Sequence, residues 1–431
     1  MIDFFKLLQW QGFPVNAARK KWKEINLVSD KLQWHNAQAW EIAGYHWANN
    51  KAYANLVGHW PDEWHHLPVM NKTVIKQHGI DSEQWLRKSN KYYWSSTSGS
   101  SGKPFRFSKD LLTHTLTWIH VAHCYGQIGV SLNDWQARFY GAPSTFTSKY
   151  VEKIKDLVGH RKRFPVLDLS DQALETWADG FKRRKFAYLY GYSYPIISFA
   201  KYLNRTQRIL TDISPDIKGC ILTAEMCDAD ERQLVEDAIG APVCNEYGAS
   251  EFGILGFATG PYWEVPVELI KIEILDEDGR VLPDGQLGNV TITSLFNMGT
   301  PFIRYQPGDL GAVVWQNGRQ YLTQLYGRRE DMAVLPSGKK TPGDTAFYYI
   351  FKDFSNKFDV ITEYKVIQTH SDAFDIRYVA PRDLNDAETG FLKSLCDSSL
   401  EKGLDIRMSR YEVLDRTRMG KFRRFVSEVS R

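Results

Sequence analysis

The sequence predicts an α/β protein: a large N-terminal domain of βα-layered sheets with a β-rich module, and a small α+β C-terminal domain. The length of 431 residues is enough for about two or three domains at roughly 150 residues each. Short apolar strands alternate with helical patterns up to residue 247, strand-like alternation begins at Val267, and the order of elements changes again after Gly327. The 43% of hydrophobic and 24% of charged residues are typical of a folded globular chain.

The charge and the cysteines exclude several classes of protein. The 54 lysines and arginines nearly balance the 51 aspartates and glutamates, which leaves a net charge of +3. Nucleic-acid-binding domains carry a stronger basic excess, so nucleic acid is not an expected partner. Five scattered cysteines without a CxxC pair predict neither a disulfide framework nor a cysteine zinc site. No apolar run reaches the length of a membrane span, and we expect a cytoplasmic protein.

Residues 1–94 are predicted to form a helical, aromatic-rich lead-in that packs onto a larger body. Nine of the 14 tryptophans lie in this stretch, separated by polar residues. Farther along, apolar residues recur at helical spacing from Leu111 to Ala122, which predicts a helix that Ser108 can cap.

Strands and helices alternate in the middle of the chain. The predicted strands cover residues 186–190, 220–224 and 243–247, and the predicted helices cover residues 196–203 and 228–239. Such alternation implies a mainly parallel sheet, whose ligands bind beyond the carboxyl ends of the strands.

The remaining chain predicts a β-rich module and then a separate domain. The module has strands at 267–275 and 290–293, with a turn at 276–279. We place the domain boundary so that the domains cover residues 1–327 and 328–431. The predicted elements of the second domain are helices at 347–354 and 387–400, strands at 360–368 and 374–379, and one final strand.

The first chemical motif is a loop of small residues that spans 97–104. Glycine permits unusual torsions, so that several backbone N–H groups and hydroxyls can converge on one anion. The spacing is not that of a Walker loop, because two residues separate Gly99 from Gly102 and Pro104 replaces the metal-binding hydroxyl. A serine- and glycine-rich linker explains this stretch equally well.

The second motif spans residues 245–251, at the end of a predicted strand, and reads Asn-Glu-Tyr-Gly-Ala-Ser-Glu. It combines a ring on which adenine can stack, an unhindered backbone, a hydroxyl and a carboxylate suited to Mg²⁺. Judged alone, a tight turn with incidental charges fits slightly better.

Three further motifs lie nearer the C-terminus. The segment 304–309 presents Asp309 in a turn, where its carboxylate can accept two hydrogen bonds from a ribose diol. The segment 327–331 falls at the predicted domain junction, and the segment 416–424 is a cationic, hairpin-like tip. Solvated surface charge is the alternative interpretation of each.

These five motifs, in this order, resemble the adenylate-forming superfamily of acyl-CoA synthetases, luciferases and peptide-synthetase adenylation domains. The chain looks most like the phenylacetate–CoA ligase branch, which includes relatives from capsular polysaccharide clusters. The resemblance runs from about residue 90 to the C-terminus. It implies ATP, Mg²⁺ and a small carboxylic acid as ligands, and a mobile C-terminal domain.

The resemblance also implies residue roles. The β- and γ-phosphates would be bound by Thr97, Ser98, Gly99, Ser100, Ser101, Gly102 and Lys103. The rest of the nucleotide would be bound by Ala224, Glu225, Tyr247, Gly248, Ser250, Asp309 and Arg328. Glu251 would bind Mg²⁺, Lys421 would act as the catalytic residue between the incoming carboxylate and the α-phosphate, and Glu330 or Asp331 would form the hinge.

The acid pocket would be lined by Tyr190, Gly191, Tyr192, Tyr194, Gly248 and Ala249. The tyrosines can sandwich a ring or offer hydroxyls, which favours an aryl or otherwise compact acid. Packing in the core explains the same tyrosines equally well. His120 and His123 either reach this pocket or belong to a helix face or the core.

The acyl acceptor is open. Residues 334–344 depart from the arginine-glycine-hydrophobic loop that in phenylacetate–CoA ligases helps to admit CoA. CoA is the leading acceptor, and an amine, an amino sugar or a carrier-protein thiol are the alternatives. A catalytically silent nucleotide-binding protein is a further hypothesis. A homodimer is compatible with the resemblance.

Overall fold

The structure is a computed structural model that describes residues 3–81, 92–96, 105–141, 146–225, 227–328, 332–358, 360–416 and 422–429. For residues 146–151 and 327–328 it describes the backbone only. The chain divides into two compact units, which are Met1–Pro307 with Gly311–Gln324, and Gly308–Leu310 with Leu325–Arg431. Within the described ranges, no helix has both the length and the apolar character needed to cross a bilayer.

Helices dominate the start of the first unit. They are α1 (Phe4–Trp10), α2 (Val15–Asn26), α3 (Lys31–Asn49), α4 (Lys51–Val57) and α5 (Lys72–Gln77), with a short 3-10 turn at Trp64–His66. Four of these helices begin after a capping residue whose side chain accepts a hydrogen bond from a backbone N–H three residues later. The capping residues are Asp3, Asp30, Asn50 and Asn71.

A strand pair and a long helix follow. β1 (Tyr92–Ser96) and β2 (Arg106–Asp110) pair antiparallel, and α6 (Leu111–Gly126) continues directly from β2. The carboxylate of Asp110 caps α6 by accepting a hydrogen bond from the N–H of Thr113 at 2.9 Å. The prediction that Ser108 caps this helix is wrong, because Ser108 is buried within β2 and its N–H donates to Oγ1 of Thr300.

The predicted βα alternation is confirmed. Its elements are β3 (Gln136–Phe139), α7 (Phe146–Val158), β4 (Arg161–Phe164), α8 (Asp171–Arg183), β5 (Tyr188–Tyr192), α9 (Ser193–Arg205), α10 (Leu210–Ile213), β6 (Gly219–Thr223), α11 (Ala229–Ile239) and β7 (Val243–Ala249). β4, β3, β5, β6 and β7 pair in parallel, in that order. The carboxyl ends of these strands therefore meet at one edge of the sheet.

The same sheet continues beyond β7. The added strands are β8 (Gly253–Ala258), β9 (Trp263–Glu264), β10 (Ile270–Leu275), β11 (Gly288–Ser294), β12 (Asp309–Gln316) and β13 (Arg319–Arg328). The strand order is β10-β11-β12-β13-β9-β8-β7-β6-β5-β3-β4. The predicted β-rich module is thus an extension of the parallel sheet.

Apolar residues cover both faces of the parallel part. Leu189 and Leu222 belong to a core that also contains residues of α8, α9 and α11. Ile221 and Cys244 point to the other face, where they pack with Tyr125 and other residues of α6. Because side chains alternate along a strand, Tyr190, Thr223 and Glu246 face α6 as well.

The second unit has its own sheet and core. Its elements are β14 (Met332–Val334), β15 (Lys340–Pro342), α12 (Gly343–Lys357), β16 (Glu363–His370), β17 (Ala373–Val379), α13 (Asp386–Ser399), β18 (Asp405–Tyr411) and β19 (Phe425–Ser427). The larger sheet has the order β18-β17-β16-β19. The strands β18 and β19, which come before and after the basic segment 416–424, lie at opposite edges of this sheet, and residues 417–421 of that segment lie outside the described residues.

Candidate active site

The carboxyl end of β7 carries the second sequence motif. A β-bulge between Tyr247 and Gly248 shifts the register against β8. A Cβ at Gly248 would lie 3.1 Å from the carbonyl oxygen of Gly253. Gly253 has φ +90°, and a Cβ there would lie 2.3 Å from Cγ2 of Thr117. Both glycines therefore allow the chain to turn tightly, while Tyr247 stays half-buried and Ser250 is exposed.

Glu251, the predicted Mg²⁺ ligand, is only 5% exposed. Its Oε1 accepts a hydrogen bond from the hydroxyl of Tyr305 at 3.1 Å and lies 3.6 Å from the ammonium of Lys72. Burial lowers the pKa of Lys109 to about 8, and the negative charge of Glu251 opposes this shift. The carboxylate therefore lies among groups that balance its charge.

The contacts of Glu251 fit a magnesium ion. Among the described residues, no hydrogen bond reaches its Oε2. Mg²⁺ is usually held by one or two carboxylates together with phosphate oxygens and water. One available carboxylate oxygen matches that coordination.

The turn after β6 contains Ala224 and Glu225. Ala224 has φ +69°, a torsion that few residues other than glycine adopt. Oε2 of Glu225 accepts a hydrogen bond from the N–H of Tyr194 at 2.8 Å, and the hydroxyl of Ser193 donates to the Glu225 carbonyl. Glu225 thus lies at the start of α9, where helix N–H groups lack partners and a negative charge is favoured.

The predicted pocket residues of β5 have different environments. Tyr192 is buried in the core, whereas Tyr190 is half-buried and its hydroxyl donates to Oε1 of Glu246 at 2.9 Å. A Cβ at Gly191 would lie 2.3 Å from the carbonyl oxygen of Phe139, so that close strand packing itself requires this glycine.

Sequence reasoning missed a polar cluster around Glu246. Its carboxylate also accepts hydrogen bonds from the hydroxyls of Tyr125 at 3.1 Å and Thr223 at 3.4 Å. Burial raises the pKa of Glu246, and these hydrogen bonds oppose the shift. The guanidinium of Arg138 lies 4.5 Å from the ring centroid of Tyr140. Only the position of Glu246 inside the motif could have pointed to this cluster.

The two histidines of α6 line a different, small pocket, together with Trp22 and Arg319. Its described lining includes none of the predicted nucleotide or acid residues. Burial lowers the pKa of His120 to about 3, and its ring lies 5.8 Å from that of Trp22. The environment of His120 and His123 favours the interpretation that they belong to a packed helix face.

The other predicted residues divide into two groups. Asp309 follows Gly308, which has φ +102°, and belongs to the second compact unit at the start of β12. For Arg328 only the backbone is described. The remaining ones lie outside the described residues, and they are Thr97, Ser98, Gly99, Ser100, Ser101, Gly102, Lys103, Glu330, Asp331 and Lys421. Their roles stay predictions.

Comparison with solved structures defines the class of fold. The chain is similar to 2-hydroxyisobutyryl-CoA ligase, crystallised in the postadenylation state with R3-HIB-AMP, at a TM-score of 0.67 and 17% identity. The alignment covers 91% of this chain and 88% of that one. The fold is therefore that of the adenylate-forming ligases. No family model matches the chain.

Comparison of sequences shows similarity to two curated ligases over about a quarter of the chain. The chain is 32% identical over 126 residues to phenylacetate-coenzyme A ligase of Pseudomonas putida. It is 30% identical over 121 residues to indoleacetate–lysine synthetase of Pseudomonas savastanoi. Each match spans 27% of this chain and 28% of the length of the relative. Fold and sequence together confirm the resemblance to the phenylacetate–CoA ligase-like branch that the motifs predicted.

Proposed function

We propose that the chain is an ATP-dependent ligase that activates a small, aryl or otherwise compact, carboxylic acid as acyl-AMP. The acyl group then passes to a thiol, with CoA as the first candidate. The observation that carries the proposal is the contact of Tyr305 with Glu251, which joins two motifs 54 residues apart at the end of β7. The fold shared with acyl-adenylate-bound ligase structures supports it.

In the first step, a carboxylate oxygen of the acid attacks the α-phosphorus of ATP, and the bond to the departing pyrophosphate breaks. Two anions must approach each other, and unit charges about 4 Å apart repel by roughly 4 kcal/mol at an effective dielectric constant near 20. Lys421 supplies the positive charge between them in this proposal. Mg²⁺ held by Glu251 would supply further charge to the phosphates. In the second step, the thiolate attacks the acyl carbon and AMP leaves.

The proposed nucleotide contacts follow the resemblance. Tyr247 stacks on adenine beside Ala224 and Glu225, and Ser250 reaches the α-phosphate. Asp309 holds the ribose hydroxyls. Residues 97–103 bind the outer phosphates, Arg328 contacts ribose or phosphate, and residues 330–331 form the hinge of a mobile C-terminal domain. The half-buried ring of Tyr247 at the carboxyl edge of the sheet supports its part of the assignment, since ligands of such sheets bind there.

Pyrophosphate release tests the proposal. Aryl, aliphatic and amino acids are compared in the presence of ATP and Mg²⁺, with and without CoA. We expect pyrophosphate release that depends on the acid, and formation of AMP and acyl-CoA when CoA is added. Binding of ATP without any acid-dependent release would instead indicate a catalytically silent nucleotide-binding protein.

A second candidate is an amide-forming ligase that passes the same acyl-AMP to an amine or amino sugar. The similarity to indoleacetate–lysine synthetase favours it. The departure of residues 334–344 from the CoA-admitting loop supports it too. Trapping of the adenylate by hydroxylamine, without any CoA-dependent turnover, would favour this candidate over the first. A carrier-protein thiol is tested in the same assay by replacing CoA with a phosphopantetheinylated carrier.

A further inference from the structure

We propose that the acid substrate carries a hydroxyl or amino hydrogen-bond donor on its acyl portion, and that Glu246 accepts this hydrogen bond. The inference rests on the proposed function, because it assumes that the acyl group lies against Gly248. It goes further by naming a specificity-determining residue and the class of acid that the residue selects.

Glu246 borders the space in front of Gly248. A Cβ at Gly248 would lie 3.9 Å from Oε1 of Glu246, and Gly248 itself is exposed. A group that rests on the bare backbone of Gly248 therefore comes within contact distance of a carboxylate oxygen.

The carboxylate of Glu246 is held in one orientation. Thr223 lies opposite Glu246 in the parallel ladder, and its hydroxyl donates to the same Oε1 as the hydroxyl of Tyr190. The hydroxyl of Tyr125 donates to Oε2 from α6. A carboxylate offers about four acceptor sites, two on each oxygen. Oε1 already accepts two hydrogen bonds and Oε2 accepts one, so the acceptor site that is left for a ligand is on Oε2.

An apolar acyl group would fit this position poorly. A buried carboxylate is destabilised when water is removed from one of its acceptor sites and no other hydrogen bond replaces the lost one. A hydroxyl or amino group on the acid restores that bond. The position therefore selects acids with a donor over otherwise identical acids without one.

The charge near Glu246 allows either a neutral or a cationic donor. The guanidinium of Arg138 lies 4.5 Å from the ring centroid of Tyr140 and 5.2 Å from that of Tyr190. Its Nη1 donates to Gln136 at 3.0 Å, and its buried Nε has no hydrogen-bond partner in the described part of the chain. Arg138 and Glu246 together are close to neutral, so that the donor need not carry a charge.

Matched pairs of acids test the inference in ATP–pyrophosphate exchange with the full chain. The pairs are phenylacetate and 4-hydroxyphenylacetate, benzoate and 3-hydroxybenzoate, and 3-phenylpropanoate and phenylalanine. The first two pairs test a hydroxyl and the third an ammonium group. We expect kcat/KM to be about 10- to 100-fold higher for the donor-bearing acid in at least one pair, the usual range for a hydrogen bond to a charged group. No preference in any pair would overturn the inference.

Variants of Glu246 separate specificity from structure. Glu246→Leu should abolish the preference within each pair, whereas a merely structural role would lower kcat/KM for both members of a pair equally and leave their ratio unchanged. Glu246→Gln keeps the shape and one acceptor, and should weaken the preference for the ammonium more than that for the hydroxyl. If Glu246→Leu does not fold, Glu246→Gln alone tests whether Glu246 determines the preference. Tyr125→Phe, which removes a donor to Glu246 but not the acceptor, should keep the preference.

The outcomes for this inference and for the proposed function differ. Exchange with several acids but without a donor preference, or a preference that survives in Glu246→Leu, rejects only the inference. A folded protein that binds ATP and exchanges with no acid rejects the proposed function itself.

Discussion

The hydroxyl of Tyr305 donates a hydrogen bond to Oε1 of Glu251 across 3.1 Å, and both side chains are buried. Glu251 lies in the turn after β7, and Tyr305 lies in the segment before β12. The bond orients the carboxylate that we propose as the ligand of Mg²⁺. It also connects two segments whose functional roles had been assigned separately from the sequence.

Replacing Tyr305 by phenylalanine should weaken adenylation. The variant leaves the ring in place but removes a hydrogen bond to a charged group, which is worth about 1.5–3 kcal/mol. We expect kcat/KM for pyrophosphate exchange to fall about 10- to 100-fold, with a smaller loss of thermal stability.

Tyr53→Phe is the matched control for that variant. Tyr53 is also fully buried, and its hydroxyl has no hydrogen-bond partner among the described residues. Exchange kinetics should therefore stay at the level of the unmodified protein. Equal losses in Tyr305→Phe and Tyr53→Phe would show that the bond to Glu251 has no special part in the reaction.

Lys72 should compete with magnesium. Its ammonium lies 3.6 Å from Oε1 of Glu251, so Lys72→Met leaves the carboxylate with a stronger pull on a divalent cation. We expect the Mg²⁺ concentration for half-maximal exchange to fall about three- to fivefold, the scale of a partly exposed ion pair. Lys76→Met, on the same helix, is the control and should change nothing. A higher Mg²⁺ requirement in Lys72→Met would contradict the role of Glu251 as ligand.

The sequence predicted the central strands β5, β6 and β7 but not β3 and β4, which come last in the strand order of the sheet. β6 was predicted within one residue, because Gly219–Thr223 is a short apolar run between polar stretches. β3 and β4 contain arginine, lysine and glutamine and show no such run. Their charges are balanced by contacts with neighbouring elements, such as the bond of Arg163 Nε in β4 to Asp156 Oδ2 in α7 at 2.6 Å. Periodicity alone cannot reveal such compensation.

The candidate site was predictable only where it is contiguous in sequence. Residues 247–251 are contiguous at the end of β7 and in the turn after it, so that a motif could identify them. The contacts that orient them come from distant positions: Tyr305 reaches Glu251 over 54 residues, and Tyr125 reaches Glu246 over 121. Only the tertiary structure determines such pairs, because the local sequence around either residue does not predict which distant residue it contacts.

Loss of Lys421 should impair adenylation specifically. This lysine lies outside the described residues, and its role is proposed from the motif and from the charge of the reaction. We expect Lys421→Ala to lower acid-dependent pyrophosphate exchange about 10²- to 10³-fold, the scale of losing one preorganised electrostatic group. Lys402→Ala, an exposed lysine of the same unit, is the control. Unchanged exchange in Lys421→Ala would reject the assignment.

The stability of the chain should rise at alkaline pH through Lys109. Burial lowers its pKa from 10.5 to about 8, so that between these values the unfolded chain holds a proton that the folded chain has lost. The free energy of unfolding then increases with pH, by at most about 1.4 kcal/mol per pH unit. Below pH 8 the lysine is charged in both states, and the full cost of its burial remains.

Urea unfolding at pH 7, 8.5 and 10 measures this contribution. The unmodified protein should gain stability relative to Lys109→Met as the pH rises from 8 to 10. Lys20→Met is the control at an exposed site. Its free energy of unfolding should differ from that of the unmodified protein by the same amount at every pH, because the ion pair of Lys20 with Glu24 is solvated. A constant difference between Lys109→Met and the unmodified protein would mean that Lys109 keeps its ordinary pKa in the folded chain.

Arg304, although part of a proposed functional motif, should matter mainly for stability. Its side chain is buried, and its guanidinium donates to three carbonyl oxygens, those of His65, Leu67 and Gly279. Arg304→Met leaves these acceptors unpaired, and we expect unfolding to become easier by about 3–5 kcal/mol. Arg280→Met removes an exposed ion pair and should cost less than about 1 kcal/mol. Urea unfolding compares the free energies of unfolding of the two variants. If Arg304→Met lost no more stability than Arg280→Met, the arginine of the motif would instead be needed for the reaction.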